Sequence, residues 1–194
     1  MQHLQGGAAV TPLQPDATNP PATPKPPRWR RWLVEGLLLL GIVVAVQLWQ
    51  GRATPRGPAP QFAGQHLDGT PFDLAAWRAQ HPGRAVLLYF WADWCAICQT
   101  TAGNVTAIGE DWPVTSIAIQ SGPAGQVARI MAEAGYTWPT LPDPKAAIHR
   151  QYGLPGVPAF IVINPAGEVA FVSLGYTSEF ALRLRLWWAN RLAA

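Results

Sequence analysis

Hydrophobic residues occur in one long run near the beginning of this chain and in several shorter runs after residue 60. The long run covers residues 33–49 and contains one charged residue, Glu35, near its start. The shorter runs Ala85–Trp91 and Val114–Ile119 predict buried strands. Residues 160–163 are followed by the turn sequence Asn-Pro-Ala-Gly and by the extended segment 168–173, which predicts a strand–turn–strand unit.

Other segments carry helix and turn signals. Periodic apolar residues, with Pro and Gly at the ends, predict helices over residues 95–109, 122–134 and 144–152. A last helix, residues 178–192, would begin at the N-cap Ser178 and pack inward through Phe180, Leu184, Trp187 and Trp188. Residues 61–74 predict a β-hairpin around the turn pair Asp68-Gly69. The order of elements is that of an α/β domain.

The long apolar run predicts a membrane-spanning helix, which with its flanks covers residues 28–50. At about 1.5 Å per residue, residues 33–49 reach roughly 25 Å, just enough for a bilayer. Trp29, Trp32 and Trp49 lie where aromatic side chains anchor a span at the membrane interfaces. The alternative is a cleaved signal peptide, but a long tail precedes the charged region and no A-x-A site follows the run. We therefore expect an uncleaved anchor.

Charged residues around this segment predict its orientation. Four basic residues precede the run and two follow it, namely Lys25, Arg28, Arg30 and Arg31, then Arg52 and Arg56. This bias predicts a cytoplasmic N-terminus in a bacterial inner membrane, with the rest of the chain in the oxidising periplasm. Residues 57–194 hold eight Lys or Arg against nine Asp or Glu, a net charge of −1. The sequence pI of about 9.2 therefore arises from the membrane flanks and does not indicate a nucleic-acid partner.

Composition divides the chain into four parts. Residues 1–27 are rich in proline and poor in large apolar side chains, which predicts a disordered cytoplasmic tail. The anchor, residues 28–50, follows. Residues 51–60, with three prolines, predict a stiff linker. Residues 61–194 are enough for one compact domain with a hydrophobic core.

Cys95 and Cys98 are the only cysteines, and they lie where the strand that ends at Trp91 is predicted to lead into a helix. At this spacing, in a first helical turn, their Cα atoms fall within the roughly 4.4–6.8 Å that a disulfide needs. The helix N-terminus favours an anion, which lowers the pKa of the Cys95 thiol. Cys95 is therefore expected to attack a partner, and the more buried Cys98 to resolve the mixed disulfide.

A metal site is the main alternative use of two thiolates at this spacing. Zinc needs two further ligands, but the four histidines, His3, His66, His81 and His149, form no pair with zinc-binding spacing. A two-thiolate Cu(I) site remains open, so a tethered Cu(I)-binding chaperone is an alternative function. A docking module without redox turnover is another. No metal and no other cofactor is predicted.

Pro158 stands in the sequence Gly-Val-Pro-Ala, directly before the strand at residues 160–163. Proline cannot donate to a β-ladder, so a proline that leads into a central strand is unusual. A cis peptide bond at Pro158 would leave the backbone of Val157 free to pair with an extended substrate. A trans proline at a strand edge is the alternative.

The apolar strand, the sequence Trp-Cys-Ala-Ile-Cys and the Gly-Val-Pro some sixty residues later resemble the thioredoxin superfamily, over about residues 60–194. The resemblance implies a central mixed sheet flanked by helices, an extra N-terminal hairpin, and a cis Pro158 beside the two cysteines. The anchor and the hairpins resemble the membrane-anchored TlpA/ResA-like branch, which includes the cytochrome c maturation reductases. Segments 175–179 and 183–189 most resemble the suppressor-of-copper-sensitivity D family of periplasmic disulfide oxidoreductases.

Some residues depart from these families. Tyr89 stands where thioredoxins carry a buried Asp. Ile97 and Thr101 stand where the cytochrome c maturation reductases carry Pro and Glu, which makes a dedicated cytochrome c reductase a less favoured alternative. Asp93 is the carboxylate nearest to Cys95 in sequence; it would either raise the pKa of the Cys95 thiol slightly or be a solvated loop residue.

These observations predict a membrane-anchored, periplasmic thiol–disulfide oxidoreductase that exchanges electrons with protein cysteines through Cys95 and Cys98. Val157 and Pro158 would dock the partner's backbone. Trp91 and Trp94 would form the walls of the site, or would be ordinary core or shielding aromatics. The expected partners are periplasmic protein thiols or disulfides and a membrane electron donor or acceptor. The resemblance further implies a link to copper or oxidative stress tolerance.

Overall fold

The computed structural model describes residues 29, 32–38, 41–42 and 57–191. The chain divides into two compact units, Met1–Ile42 and Val43–Ala194. In the first unit the described residues are helical. Within the described part of the chain, no helix is both long enough and apolar enough to cross a bilayer. The predicted tail, most of the predicted anchor and residues 51–56 of the predicted linker lie outside the described residues.

The second unit is built on a six-stranded mixed sheet and a separate two-stranded hairpin. The sheet has the order β1-β8-β7-β4-β5-β6; β5 runs parallel to both β4 and β6, and the other pairs are antiparallel. In chain order the strands are β1 Gly57–Pro58, β2 Ala63–Gln65, β3 Pro71–Asp73, β4 Val86–Trp91, β5 Val114–Ile119, β6 Thr140–Asp143, β7 Ala159–Ile163 and β8 Glu168–Leu174.

The core lies around the central strands of this sheet. Every residue of β4, β5 and β7 is buried, as expected for continuous apolar runs covered on both faces. The rings of Tyr89 and Phe160, which are paired in register between β4 and β7, stack with their centroids 5.0 Å apart. The central strands thus give a rigid base to the loop that follows Trp91.

Five helices connect or follow the strands. They are α1 Leu74–Ala79, α2 Ala96–Asp111, α3 Ala124–Ala134, α4 Ala147–Gln151 and α5 Glu179–Arg191. The carboxylate of Asp73 caps α1 by accepting a hydrogen bond from the N–H of Ala76 at 2.8 Å. Gly135 ends α3 in the left-handed conformation, with φ of 70°, which glycine adopts without steric cost. Helices α2 and α5 pack together, and the side-chain amide of Asn104 donates to the carbonyl of Thr177 at 3.0 Å.

Within residues 57–191 the predicted elements are present, and three more, α1, β1 and β6, are found. Helix α1 was not predicted, and neither was β6, which contains Pro142 and lies at a sheet edge, where proline is tolerated. The last residues of the predicted linker belong to the folded unit. Gly57 and Pro58 pair with β8 as β1, and the N–H of Ala59 donates to the carbonyl of Gly167 at 2.8 Å.

The prediction for the face of the last helix was wrong. The residues of α5 that are buried against the core are Leu182, Leu186 and Ala189, whereas the predicted residues Phe180, Leu184, Trp187 and Trp188 are exposed. Polar contacts fix this rotation. Arg183 Nη2 donates to the carbonyl of Ala107 at 3.1 Å, and the side chain of Asn190 accepts a hydrogen bond from the N–H of Ala85. Leu182, Leu186 and Ala189 have the i, i+4, i+7 spacing of a helix face, so apolar spacing alone does not decide between the two faces.

Candidate active site

Cys95 and Cys98 form a disulfide at the first turn of α2, directly after the loop that leaves β4. Their Cα atoms are 5.2 Å apart. Cys95 is the N-cap residue of the helix, and its sulfur accepts a hydrogen bond from the N–H of Cys98 at 3.1 Å. Negative charge on a sulfur in this position is stabilised. The sulfur accepts a hydrogen bond from an N–H of the first helical turn, and it lies at the positive end of the helix dipole.

The two sulfurs differ in access. As whole residues, Cys95 is 7% exposed and Cys98 is 2% exposed. Trp94 and Ile97, which flank Cys95, are 61% and 52% exposed. An incoming chain therefore meets an apolar rim and the sulfur of Cys95 first.

Val157 and Pro158 lie beside the disulfide. The pairing of Phe90 with Ala159 brings residue 158 next to the end of β4, although the two segments are far apart in sequence. The Val157–Pro158 peptide bond is cis, as the resemblance implied, and the carbonyl oxygen of Val157 lies 3.8 Å from the sulfur of Cys95. Among residues 57–191, the N–H of Val157 has no hydrogen-bond partner. This backbone is therefore available to a partner that reaches Cys95.

A small hydroxyl network lies behind Cys98, and the sequence did not predict it. The hydroxyl groups of Tyr89 and Thr101 donate hydrogen bonds to the carbonyl oxygen of Cys98, at 3.2 Å and 3.0 Å. Burial raises the pKa of Tyr89 above its ordinary value, so its hydroxyl stays protonated at neutral pH. The position that holds an acidic group in thioredoxins thus holds a hydrogen-bond donor here. The signal in the sequence is Tyr89 itself, a polar side chain within an apolar strand.

The two tryptophans predicted to form the walls of the site lie in different surroundings. Trp91 is buried, and its indole N–H donates to the hydroxyl oxygen of Ser116 at 3.1 Å. Together with Cys98, Glu133 and other residues it lines a cavity of about 360 Å³. Trp94 is on the outside of the loop, next to Cys95. Cys98 lines this cavity, whereas Cys95 and Val157 do not.

Asp93 has a local role in the loop. Its carboxylate accepts a hydrogen bond from the N–H of Trp94 at 2.9 Å, and its own N–H donates to the hydroxyl of Ser121 at 3.0 Å. The carboxylate therefore caps its own turn, and Ser121 holds this loop to the end of β5.

Metal ligands do not gather elsewhere in the described chain. Among the described residues, His, Cys, Asp and Glu side chains form no group of three or more that could hold a metal ion. His66 instead contacts the hydroxyl groups of Thr70 and Thr115, each at 3.2 Å, and His149 packs edge-on against the ring of Phe90.

This arrangement is suited to two-electron thiol–disulfide exchange. A thiolate on another protein attacks the sulfur of Cys95, the bond between the two cysteines breaks, and Cys98 leaves as a thiolate. In the opposite direction, the Cys95 thiolate attacks a partner disulfide, and Cys98 then attacks the mixed disulfide and releases the reduced partner. Both directions need one reachable sulfur and one protected sulfur, which is the geometry found here.

Comparison with known proteins gives relatives with this chemistry. The chain is 29% identical over 127 residues to the Thioredoxin-like protein of Haemophilus influenzae. The aligned region covers 65% of this chain and 74% of that protein. It is 26% identical over 132 residues to the Thiol-disulfide oxidoreductase ResA of Geobacillus thermodenitrificans, with coverage of 66% and 74%. The solved structure of MTB dsbF in its mixed oxidized and reduced forms superposes with a TM-score of 0.57 at 25% identity, over 66% of this chain and 95% of that one. The sequence model of the AhpC/TSA family matches residues 55–172, and we conclude that this chain belongs to the AhpC/TSA family, with a thioredoxin-like fold.

Proposed function

We propose that this protein is a membrane-anchored thiol–disulfide oxidoreductase that exchanges electrons with cysteine-containing proteins in the bacterial periplasm. The oxidoreductase activity itself is common to its named relatives, which include thiol:disulfide interchange proteins and thiol–disulfide oxidoreductases. The observation that carries it is the Cys95–Cys98 disulfide at the start of α2, with one sulfur beside a free backbone segment and the other behind it.

The backbone of Val157 supports a protein substrate in preference to a small thiol. Its carbonyl oxygen lies 3.8 Å from the sulfur of Cys95, and an extended chain pairs with free backbone groups of this kind, as in strand addition. Such backbone pairing would hold the partner's sulfur in line with Cys95 and would not depend on the partner's amino-acid sequence. Trp94 and Ile97 add an apolar contact that favours segments with a hydrophobic residue near the cysteine.

Trapping of the mixed disulfide tests this function. In the Cys98→Ser variant the resolving sulfur is missing, so a covalent complex between Cys95 and its partner should accumulate and disappear on reduction. Periplasmic extract is incubated with the reduced variant and run on non-reducing gels. The matched control is Cys95→Ser, which keeps one thiol but places it behind the surface. Equal trapping by both variants, or by neither while both are folded, would contradict the proposal.

The anchor and the periplasmic location are parts of the proposal that rest on the sequence. Residues 33–49 are apolar, and basic residues are more numerous before this run than after it. The test is fractionation of cells that express the full chain, followed by protease treatment of spheroplasts. Retention in the membrane with residues 57–191 digested from outside is expected. Release from the membrane by carbonate, or protection of the folded unit, would overturn the anchor or the location respectively.

The suppressor-of-copper-sensitivity D branch is the finer assignment that we propose within this family. The segments Gly-Tyr-Thr-Ser-Glu at 175–179 and Arg-Leu-Arg-Leu-Trp-Trp-Ala at 183–189 support it. The proposed role is the maintenance of periplasmic protein thiols under copper or oxidative stress. A deletion strain should regain growth on copper with the wild-type gene but not with Cys95→Ser. Rescue by Cys95→Ser would point away from redox turnover and toward a docking role.

A further inference from the structure

The outward side of α5 carries an apolar stripe that the fold leaves uncovered. Its members, here called the outer face of α5, are spaced at i, i+4, i+7 and i+8 and are between 42% and 76% exposed: Phe180, Leu184, Trp187 and Trp188. Phe180, Leu184 and Trp187 also line, with Arg183, an open hollow of about 370 Å³. Large exposed apolar side chains gathered on one helix face mark a surface that contacts something else.

The net charge of α5 is positive, in contrast to the remainder of the folded unit, although Arg183 is paired with Glu179 and with Asp111 of α2. Helix α5 contains three Arg and one Glu, a net charge of +2, whereas the rest of residues 57–194 carries −3, from five Lys or Arg and eight Asp or Glu. The guanidinium of Arg191 lies 3.8 Å from the centre of the Trp187 ring. Tryptophan, phenylalanine and leucine next to arginine are the composition of helices that lie in the interface of an anionic bilayer.

The outer face of α5 runs from one end of the sheet to the other. Its Phe180 end follows Leu174, which pairs with Ala159 beside Pro158, and its Trp187–Trp188 end lies where the chain enters the folded unit. Gly57 is opposite Val169, Val169 is opposite Ile163, and Ile163 is opposite Val86, so Gly57 and the start of β4 share one row across the sheet. Asn190, near the end of α5, is bonded to Ala85 at the same row. Cys95 follows the other end of β4. The end of α5 and the incoming chain therefore lie at one end of the sheet, and the disulfide at the other.

The connecting segment between the proposed span and this end of the sheet is short. Residues 51–56 separate residue 50 from Gly57, and six residues extend to roughly 20 Å at most. A tether of this reach keeps the entering end of the sheet near the bilayer surface, and with it the Arg-bearing end of α5.

We propose that the outer face of α5, through Leu184, Trp187 and Trp188 in its later turns, docks on the anionic phospholipid surface of the membrane that holds the anchor. The inference rests on the proposed function insofar as it needs the anchor. Aromatic and leucine side chains enter the interface, while Arg191, whose guanidinium lies over the ring of Trp187, is placed to meet a lipid phosphate.

The test uses the full chain reconstituted in vesicles of phosphatidylcholine with phosphatidylglycerol that contain a trace of a photoactivatable phospholipid. After illumination, lipid-labelled peptides are identified by mass spectrometry. We expect labelling in peptides of α5 as well as in residues 33–49, and loss of the α5 labelling in the double variant Leu184→Glu/Trp187→Glu. The matched control Ala128→Glu/Ala132→Glu adds the same charge at two exposed positions of α3 and should keep the α5 labelling. Thiol-exchange activity in solution, which should equal the wild-type value, shows that each variant is folded.

The outcomes separate the inference from the proposal on which it rests. Labelling of residues 33–49 without labelling of α5 in the wild-type chain overturns the docking and leaves the anchor intact. Protein that stays out of the vesicle fraction overturns the anchor. A dimer that forms through α5, detected by its mass and lost in the double variant, with no lipid on α5, would assign this face to a second copy and also overturn the docking. If the double variant does not fold, the labelling of α5 in the wild-type chain is compared between vesicles with and without phosphatidylglycerol. The docking predicts less labelling in the vesicles that lack phosphatidylglycerol, and equal labelling would overturn it.

Discussion

The hydroxyl group of Tyr89 donates a hydrogen bond to the carbonyl oxygen of Cys98, 3.2 Å away, inside the core and beneath the reactive pair. Thr101 donates to the same oxygen. This carbonyl lies at the first turn of α2, so two side chains hold the backbone of the resolving cysteine. Because burial raises the pKa of Tyr89, the group at this position is a fixed donor and does not accept a proton during exchange.

Replacement of Tyr89 by Phe should therefore leave the pH dependence of exchange unchanged. The lost hydrogen bond should lower the free energy of unfolding by about 0.5–1.5 kcal/mol, since Thr101 still donates to the carbonyl. Stopped-flow exchange with a model disulfide between pH 5 and 9, together with urea unfolding, measures both effects. The disappearance of an inflection in the pH–rate profile of Tyr89→Phe would show that the hydroxyl takes part in proton transfer.

The free energy of unfolding should fall at alkaline pH, because two buried tyrosines ionise less readily in the folded chain than in the unfolded chain. Burial raises the pKa of both Tyr89 and Tyr152, and the hydroxyl of Tyr152 donates to the carbonyl of Pro60 at 2.8 Å. A raised folded pKa gives stability that is complete below the ordinary value near 10 and is lost as the pH rises above it. Urea midpoints from pH 8 to 11 should decrease less steeply in Tyr152→Phe than in the wild type. Parallel curves would contradict this explanation.

The two thiols of the reduced protein should differ strongly in reactivity. Cys95 is the N-cap of α2 and is the more exposed sulfur, whereas Cys98 is behind it. At pH 7, iodoacetamide should alkylate the single thiol of Cys98→Ser about tenfold or more faster than the single thiol of Cys95→Ser. Mass spectrometry of timed samples gives both rates. Equal rates after guanidinium unfolding serve as the control, and equal rates in the folded variants would refute the assignment of roles.

Asn190 fixes α5 to the beginning of β4 through the buried N–H of Ala85. Asn190→Leu leaves this N–H without a partner and should lower the free energy of unfolding by about 1–3 kcal/mol. Asn190→Asp keeps an acceptor and should cost less. Chemical unfolding of residues 57–191 within the full chain in detergent compares the two variants. A larger loss in the Asp variant would mean that the amide N–H, and not the oxygen, carries the contact.

Replacement of two different glycines by alanine should change the stability in opposite directions. Gly103 lies in the middle of α2, and a Cβ added there would meet no atom within 4 Å, so Gly103→Ala should stabilise the chain by about 0.5–1 kcal/mol. At Gly64 in β2 an added Cβ would lie 2.9 Å from Cδ2 of Leu141, a buried side chain, so Gly64→Ala should destabilise by about 1–3 kcal/mol. Thermal melts rank the two variants against the wild type. A stabilised Gly64→Ala would show that Leu141 moves aside without cost.

Local patterns in the sequence were sufficient for the reactive pair and for the central strands. Cys95 and Cys98 are close in sequence, and a helix N-terminus follows directly from their position after an apolar strand. Strand β5 has the predicted bounds, because β-branched residues dominate its sequence and Pro113 and Gln120 adjoin its ends. The place of Val157 beside Cys95 could be inferred only from the resemblance, since it depends on the register between β4 and β7.

Elements with weak or ambiguous local signals were the ones missed. Helix α1 has six residues, too few for a periodic pattern, although Asp73 is a recognisable N-cap. Helix α5 has apolar residues on both sides, and the larger ones were assigned to the core. The smaller set packs inward instead, because the space left beside α2 suits Leu and Ala and because Arg183 and Asn190 bond to fixed backbone groups.

Both edge strands of the sheet are poorly suited to pair with a strand of another polypeptide. On one side β6 has Pro142 within its four residues, and on the other β1 is a two-residue strand that contains Pro58. Proline has no backbone N–H to donate, and a strand of two residues presents few free backbone groups. Neighbouring copies of the chain therefore have little with which to form a β-ladder. A high local concentration of this protein should for this reason not lead to strand-to-strand aggregation.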